Sequence, residues 1–219
     1  MTYRACIFDL DGVITDTAHY HFLAWKALAD GLGIPFNEDD NHHLKGVGRM
    51  ESLDFILARS DRTFDAATRG RLATEKNDHY KTLIKGISPA DLLPGILEAF
   101  DWLDARGIRI GLASASKNAP EVITGLGIAG RFHYVADAGA IPRGKPAPDI
   151  FLDVANAFGF APEDAIGVED AAAGVTAIKA AGMRAIGIGD ASILKEADLV
   201  LPDTSALAAN GLAVLAAQA

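Results

Sequence analysis

Four short stretches of the sequence carry residue types that can do chemistry: Asp9-Leu10-Asp11-Gly12, Ser114-Ala115-Ser116-Lys117-Asn118, Gly144-Lys145-Pro146-Ala147-Pro148-Asp149 and Gly167-Val168-Glu169-Asp170. The first places two carboxylates one residue apart, directly after an apolar run, and Gly12 lets the backbone turn so that both face one point. The fourth adds two adjacent acids after another apolar run. Acids at two strand ends of one parallel sheet converge, and an all-oxygen set suits Mg²⁺, which keeps several waters and binds substrate phosphate. The second stretch offers hydroxyls and backbone N–H groups just ahead of a helix, a favourable place for an anion. In the third, two prolines stiffen the chain around Ala147, so Lys145 presents a fixed ammonium that can bind phosphate and offset the repulsion between acids. Plainer readings exist for each: Asp-X-Asp-Gly is an ordinary turn, Ser114 to Asn118 and Glu169-Asp170 can cap helices, and Lys145 can be a solvated surface residue. Their order along one chain is far more specific than any one of them.

These residues need strands to aim them. Ala5-Cys6-Ile7-Phe8 reads as a buried strand that ends where the charges begin. From Leu92 onward, short apolar runs alternate with helical patterns: Ile108 to Ala113, Tyr134 to Ala136, Ala165 to Val168, Ala185 to Ile188 and Leu199 to Leu201 as strands, with helices opened by Pro94-Gly95 and Pro148, others through Val122 and Leu126 and over Ala171 to Ala181, and a last one over Leu207 to Ala217. That alternation predicts an α/β fold with a doubly wound parallel sheet. Between about residues 18 and 87 the pattern changes to polar-rich helical spacing without a convincing strand. Phe22, Trp25, Leu28 and Leu32 mark a helix stopped by Gly31 and Gly33, and Met50 to Leu57 and Leu72 to Leu83 mark two more. The expected organisation is therefore a core of residues 1–17 and 88–219 with a helical insert, 18–87, joined through Thr15-Asp16-Thr17 and Ser88-Pro89-Ala90-Asp91.

The chain has 219 residues, 50% of them apolar, and a formal net charge of -9. It is long enough for a sizeable core and too apolar for disorder. The acidic balance argues against a generic nucleic-acid binder, while a few local Lys and Arg still permit a phosphorylated small molecule. Cys6 is the sole cysteine, so no intramolecular disulfide forms, and its apolar setting predicts a buried thiol. No secretory leader and no run of membrane-spanning length stands out, which makes the cytoplasm the expected location and a membrane partner unexpected.

Asp9-Leu10-Asp11-Gly12-Val13, Ser114, Lys145 and Glu169-Asp170 resemble, in order and over the whole chain, the four motifs of the haloacid dehalogenase superfamily. The likeness implies a Rossmannoid core, and the insert is similar to that superfamily's α-helical cap. Phe8 to Thr17, Leu44-Lys45-Gly46-Val47, Lys76-Asn77-Asp78, Ala113 to Asn118, Lys145 to Asp149, Tyr20-His21-Phe22 and Trp25 to Leu28 resemble the β-phosphoglucomutase branch in particular. Gly48, Ala172-Ala173 and Pro142-Arg143-Gly144 depart from its pattern. The resemblance implies Asp9 as nucleophile and Asp11 as general acid/base. It also implies Mg²⁺ held by Asp9, the main-chain carbonyl of Asp11, Asp170 and Glu169. One phosphate would sit at Asp9, Ser114, Ala115 and Lys145, and the other at Arg49, Ser116, Lys117 and Asn118. His21, Trp25, Lys45, Gly46, Val47 and Lys76 would face the sugar or couple closure to Asp11.

The expected activity is an Mg²⁺-dependent mutase that converts β-D-glucose 1-phosphate to glucose 6-phosphate by way of β-glucose 1,6-bisphosphate, working as a monomer. A phosphatase on the same scaffold is the alternative, since the same acid pair can activate water. A dehalogenase leaves Asp11 and the metal acids without work, and a non-catalytic phosphosugar-binding module leaves the whole catalytic set without work. A zinc enzyme fails on the spacing of His42, His43, His79 and His133, and a dinucleotide enzyme fails because Gly46-Val47-Gly48 follows no strand.

Overall fold

The structure is a computed structural model that describes residues 3–213. Six strands form one sheet in the order β3-β2-β1-β4-β5-β6: β1 (Ala5–Phe8), β2 (Arg109–Leu112), β3 (Tyr134–Val135), β4 (Ala165–Glu169), β5 (Arg184–Ile188) and β6 (Leu199–Leu201). Every pairing is parallel. β1 is central, and all four of its residues are buried, as a strand covered on both faces must be. Its alternation sorts the core: Cys6 and Phe8 join the cluster containing Ile96, Phe100 and Ile110, while Ala5 and Ile7 join the cluster containing Phe151, Val154 and Ile178. Helices α5 (Ile96–Asp104) and α6 (Ala119–Gly125) cover the first face, and α7 (Asp149–Phe158) and α8 (Ala172–Ala180) cover the second.

Register matters more to function than strand length. Phe8 pairs with Leu112 on one side and with Val168 on the other, so β1, β2 and β4 end level. The chain leaves β1 toward β2 and β3, then crosses back to start β4, which puts the reversal of strand order beside β1. Crevices form at the carboxyl ends of strands at such a point. The residues that emerge there are Asp9, Ser114 and Glu169.

The helical insert comprises α1 (Ala18–Leu32), α2 (Glu38–His42), α3 (Arg49–Leu57) and α4 (Ala66–Leu83). It has a hydrophobic cluster of its own, built from Trp25, Leu28, Leu53, Ile56 and Leu72 among others. Gly33, at φ 71°, ends α1 in the left-handed conformation with its N–H on the carbonyls of Ala29 and Asp30, whereas Gly31 lies inside the helix, contrary to expectation. α4 starts six residues earlier than its apolar pattern suggests, because Asp65 caps it through Thr68 N (2.8 Å) and the first turns carry only small and polar residues. α2 has no apolar signature at all and is set by the Asn37–Asp40 capping box. The expected last helix is a π-helical segment over Leu207–Leu212, and the part expected beyond Ala213 lies outside the described residues. The two connections of the insert are tied together by Thr15 Oγ1 donating to the Asp91 carbonyl (2.8 Å) and Leu93 N donating to that of Ile14 (2.9 Å). No described helix is long and apolar enough to cross a membrane.

Candidate active site

A cavity of about 470 Å³ lies between the carboxyl ends of the strands and the insert. It falls in the size range of small-molecule sites. Asp9, Asp11, Ala115, Ser116, Lys117, Asn118, Lys145 and Asp170 line it from the core, and His21, Trp25, Lys45, Gly46, Val47, Arg49 and Lys76 line it from the insert. Ser114 and Glu169 are buried at the ends of their strands. The candidate catalytic, phosphate-binding and metal-binding residues thus line this cavity or, for Ser114 and Glu169, lie buried at the strand ends.

Lys145 is the electrostatic centre. Its ammonium has no exposed side-chain surface and donates to Asp9 Oδ1 (2.6 Å) and Glu169 Oε2 (2.7 Å). Burial works against that charge, but the two carboxylates outweigh it and hold the lysine well above its ordinary range. Glu169 is committed on both sides, since its Oε1 accepts from the backbone N–H groups of Asp170 and Ala171, each at 3.2 Å. Two glycines make this possible. A Cβ on Gly174 would lie 2.0 Å from Glu169 Oε2, and one on Gly12, at φ 78°, would lie 2.3 Å from Asp170 Oδ2.

Asp9, Glu169 and Asp170 each bring one carboxylate oxygen within 4.8 Å of the others. Hard, clustered oxygens at this spacing fit Mg²⁺. Lys45 from the insert donates to Asp170 Oδ2 at 2.8 Å, so both members of the second acid pair meet a lysine. Burial, followed by the charges of Asp9 and Asp170, raises the pKa of Asp11, and its Oδ1 is buried without a hydrogen-bond partner. A carboxyl in that condition binds a proton more readily than an ordinary aspartate, which suits a group that accepts a proton and later returns it.

In the insert, Lys76 Nζ lies 2.7 Å from His21 Nδ1, 4.4 Å from the Trp25 ring centroid and 5.0 Å from that of Tyr80. Burial, reinforced by Arg49, lowers the Lys76 pKa to about 7. His21 is held well below its usual value by burial and by Lys76, so its imidazole is neutral. Sequence reasoning gave no role to Tyr80, Thr17 or Asn77. Tyr80 is fully buried and stacks on His21 at 4.0 Å, and its hydroxyl is turned toward the side chains of Thr17 and Ser116. Asn77 bridges insert and core, accepting from Arg49 (2.8 Å) and from Asn118 (2.9 Å). The only hint of it was its place beside Lys76.

Residues 3–182 match the family model for haloacid dehalogenase-like hydrolases. The chain is 47% identical to the β-phosphoglucomutase of Bacillus subtilis, over 93% of this chain and 91% of that one. Its fold matches the crystal structure of a Clostridium difficile β-phosphoglucomutase with a TM-score of 0.95 at 44% identity, covering 99% and 98% of the two chains. A phosphatase of phosphorylated carbohydrates from Thermotoga maritima is 29% identical over 90% of this chain and 92% of that one. With a Rossmannoid core, acids at the ends of β1 and β4 and these relatives, the chain belongs to the haloacid dehalogenase-like hydrolases and, within them, to the β-phosphoglucomutase family.

Proposed function

We propose that the protein is an Mg²⁺-dependent phosphosugar mutase that interconverts β-D-glucose 1-phosphate and glucose 6-phosphate through an aspartyl phosphate at Asp9 and β-glucose 1,6-bisphosphate. The observation that carries the reading is a cavity lined by two cationic groups. One is Lys145, bonded to Asp9, and the other is Arg49, tied through Asn77 to Asn118 and accompanied by Ser116 and Lys117. A hydrolase of monophosphates has no use for the second group.

Residues 1–17 and 88–219 form the catalytic core in this reading, and 18–87 form the cap. Asp9, Asp170 and the main-chain carbonyl of Asp11 would hold the metal, with Glu169 drawn back by its bonds to Lys145 and the backbone. Bound Mg²⁺ supplies positive charge to the phosphoryl oxygens. In one half-reaction the sugar 6-hydroxyl oxygen bonds to phosphorus as the bond from Asp9 breaks, and Asp11 takes the hydroxyl proton. The bisphosphate then presents its other phosphate. Asp9 bonds to that phosphorus, the bond to the C1 oxygen breaks, and Asp11 returns its proton to that oxygen. Lys145 holds the phosphoryl oxygens in line, and the closed cap keeps water from the phosphoenzyme. The protein works as a cytoplasmic monomer on a diffusible substrate.

The T. maritima phosphatase relative keeps one rival open, with water as the acceptor. Turnover of β-glucose 1-phosphate with Mg²⁺ and a trace of the bisphosphate decides between them. Glucose 6-phosphate without matching phosphate release is the expected result, and phosphate release alone would overturn the mutase.

A further inference from the structure

Asn118 stands at the N-cap position of α6, where an asparagine ordinarily bonds a backbone N–H of the first turn, yet its side chain makes no such bond. Its carboxamide nitrogen instead donates across the seam to Asn77 Oδ1, at 2.9 Å. The same oxygen accepts from Arg49 Nη2 at 2.8 Å. One neutral carbonyl therefore orients two donors that come from opposite sides of the cavity. Arg49 is half-buried, and the side-chain acceptor it has in that bond is an amide rather than a carboxylate. A carboxylate there would fix the guanidinium more strongly and cancel its charge, whereas an amide fixes it and leaves the charge for an anion.

We infer that Asn77 is a positioning residue for the distal phosphate, and that its amide is required because it aims Arg49 and Asn118 without neutralising the guanidinium. This rests on the reading that Arg49 and Asn118 receive the second phosphate of the sugar.

Two substitutions separate this role from a simple tie between cap and core. Asn77→Asp keeps both acceptor bonds and strengthens them, while Asn77→Ala removes both. A tie predicts that the Asp variant binds and performs better than the Ala variant. Positioning predicts the reverse, since a carboxylate beside Arg49 repels phosphate. Direct titration of glucose 1,6-bisphosphate onto the 219-residue chain with Mg²⁺, alongside melting curves, reads the difference. The expected result is a loss of affinity of about tenfold or more for Asn77→Asp, a smaller loss for Asn77→Ala, and a melting temperature for the Asp variant at or above that of the Ala variant. An Asp variant that binds as well as or better than the Ala variant would overturn the inference. Wild-type turnover in the same samples isolates the underlying reading: a wild type that binds the bisphosphate but makes no glucose 6-phosphate sinks the mutase, and the order of the two affinities still decides Asn77. A wild type that does not bind the bisphosphate overturns both.

Discussion

Lys145 lies between two carboxylates with no exposed side-chain surface, at 2.6 and 2.7 Å. Breaking a buried pair by removing one partner strands the other charge, so Lys145→Ala is expected to lower stability by about 3–5 kcal/mol as well as abolish turnover. Urea denaturation checks the first part, and an unchanged midpoint would show that the acids find another partner. At Asp9, Asn substitution is expected to eliminate the phosphoenzyme seen by intact-mass measurement. Asp11→Asn is expected to cripple transfer while Mg²⁺ still binds, because the main-chain carbonyl survives; complete loss of metal binding would contradict that division of roles. Lys76 gives a signed pH effect. Its pKa falls from 10.5 in the unfolded chain to about 7 in the folded one, so within that window the unfolded chain binds more protons and stability rises with pH. Lys76→Met should therefore melt higher than wild type near pH 7, with the gain shrinking toward pH 10.5. A gain that does not vary with pH would mean that the buried charge is not its source.

At the scale of elements, α8 has to approach the end of β4 closely enough to cover Glu169. Gly174 permits that approach, because a Cβ there would meet the Glu169 carboxylate at 2.0 to 2.1 Å. Helix propensity alone predicts that Gly174→Ala stabilises α8 by about 1 kcal/mol. The steric conflict opposes it, and Glu169 cannot swing away without losing Lys145 and two backbone donors, a loss of about 1–3 kcal/mol for each buried group left unpaired. The conflict wins: the variant should melt lower and need more Mg²⁺ for half-maximal activity. Stabilisation with unchanged metal dependence would show that Glu169 has room to move.

At the scale of the molecule, insert and core meet through Lys45–Asp170 at 2.8 Å, Asn77–Asn118 at 2.9 Å and Lys81–Glu121 at 3.2 Å. The last pair is exposed and contributes at most about 1 kcal/mol. Lys45 is partly shielded and pairs directly with the largely buried Asp170, so it should dominate closure. Lys45→Ala is expected to expand the small-angle scattering profile of the metal-free protein, whereas Lys81→Ala leaves it nearly unchanged. Equal expansion in both would place the latch at the periphery.

How much was legible in the sequence follows from how local each cause is. The apolar run before Asp9, the punctuation by Gly and Pro and the alternation of short strands with helices are local patterns, and they determined the parallel core, the helical character of the segment that follows β1 and the four motif stretches. α2 and the first turns of α4 were illegible because polar caps, not apolar faces, define them. Tertiary structure alone decided what depends on register and on contacts far apart in the chain. The level ends of β1, β2 and β4 bring Asp9 and Glu169 onto one ammonium across 136 and 24 residues of sequence. Asn77 reaches Asn118 over a separation of 41 residues. Periodicity and spacing report which face a residue takes within its own element, but the distance between two elements is fixed only when their side chains pack.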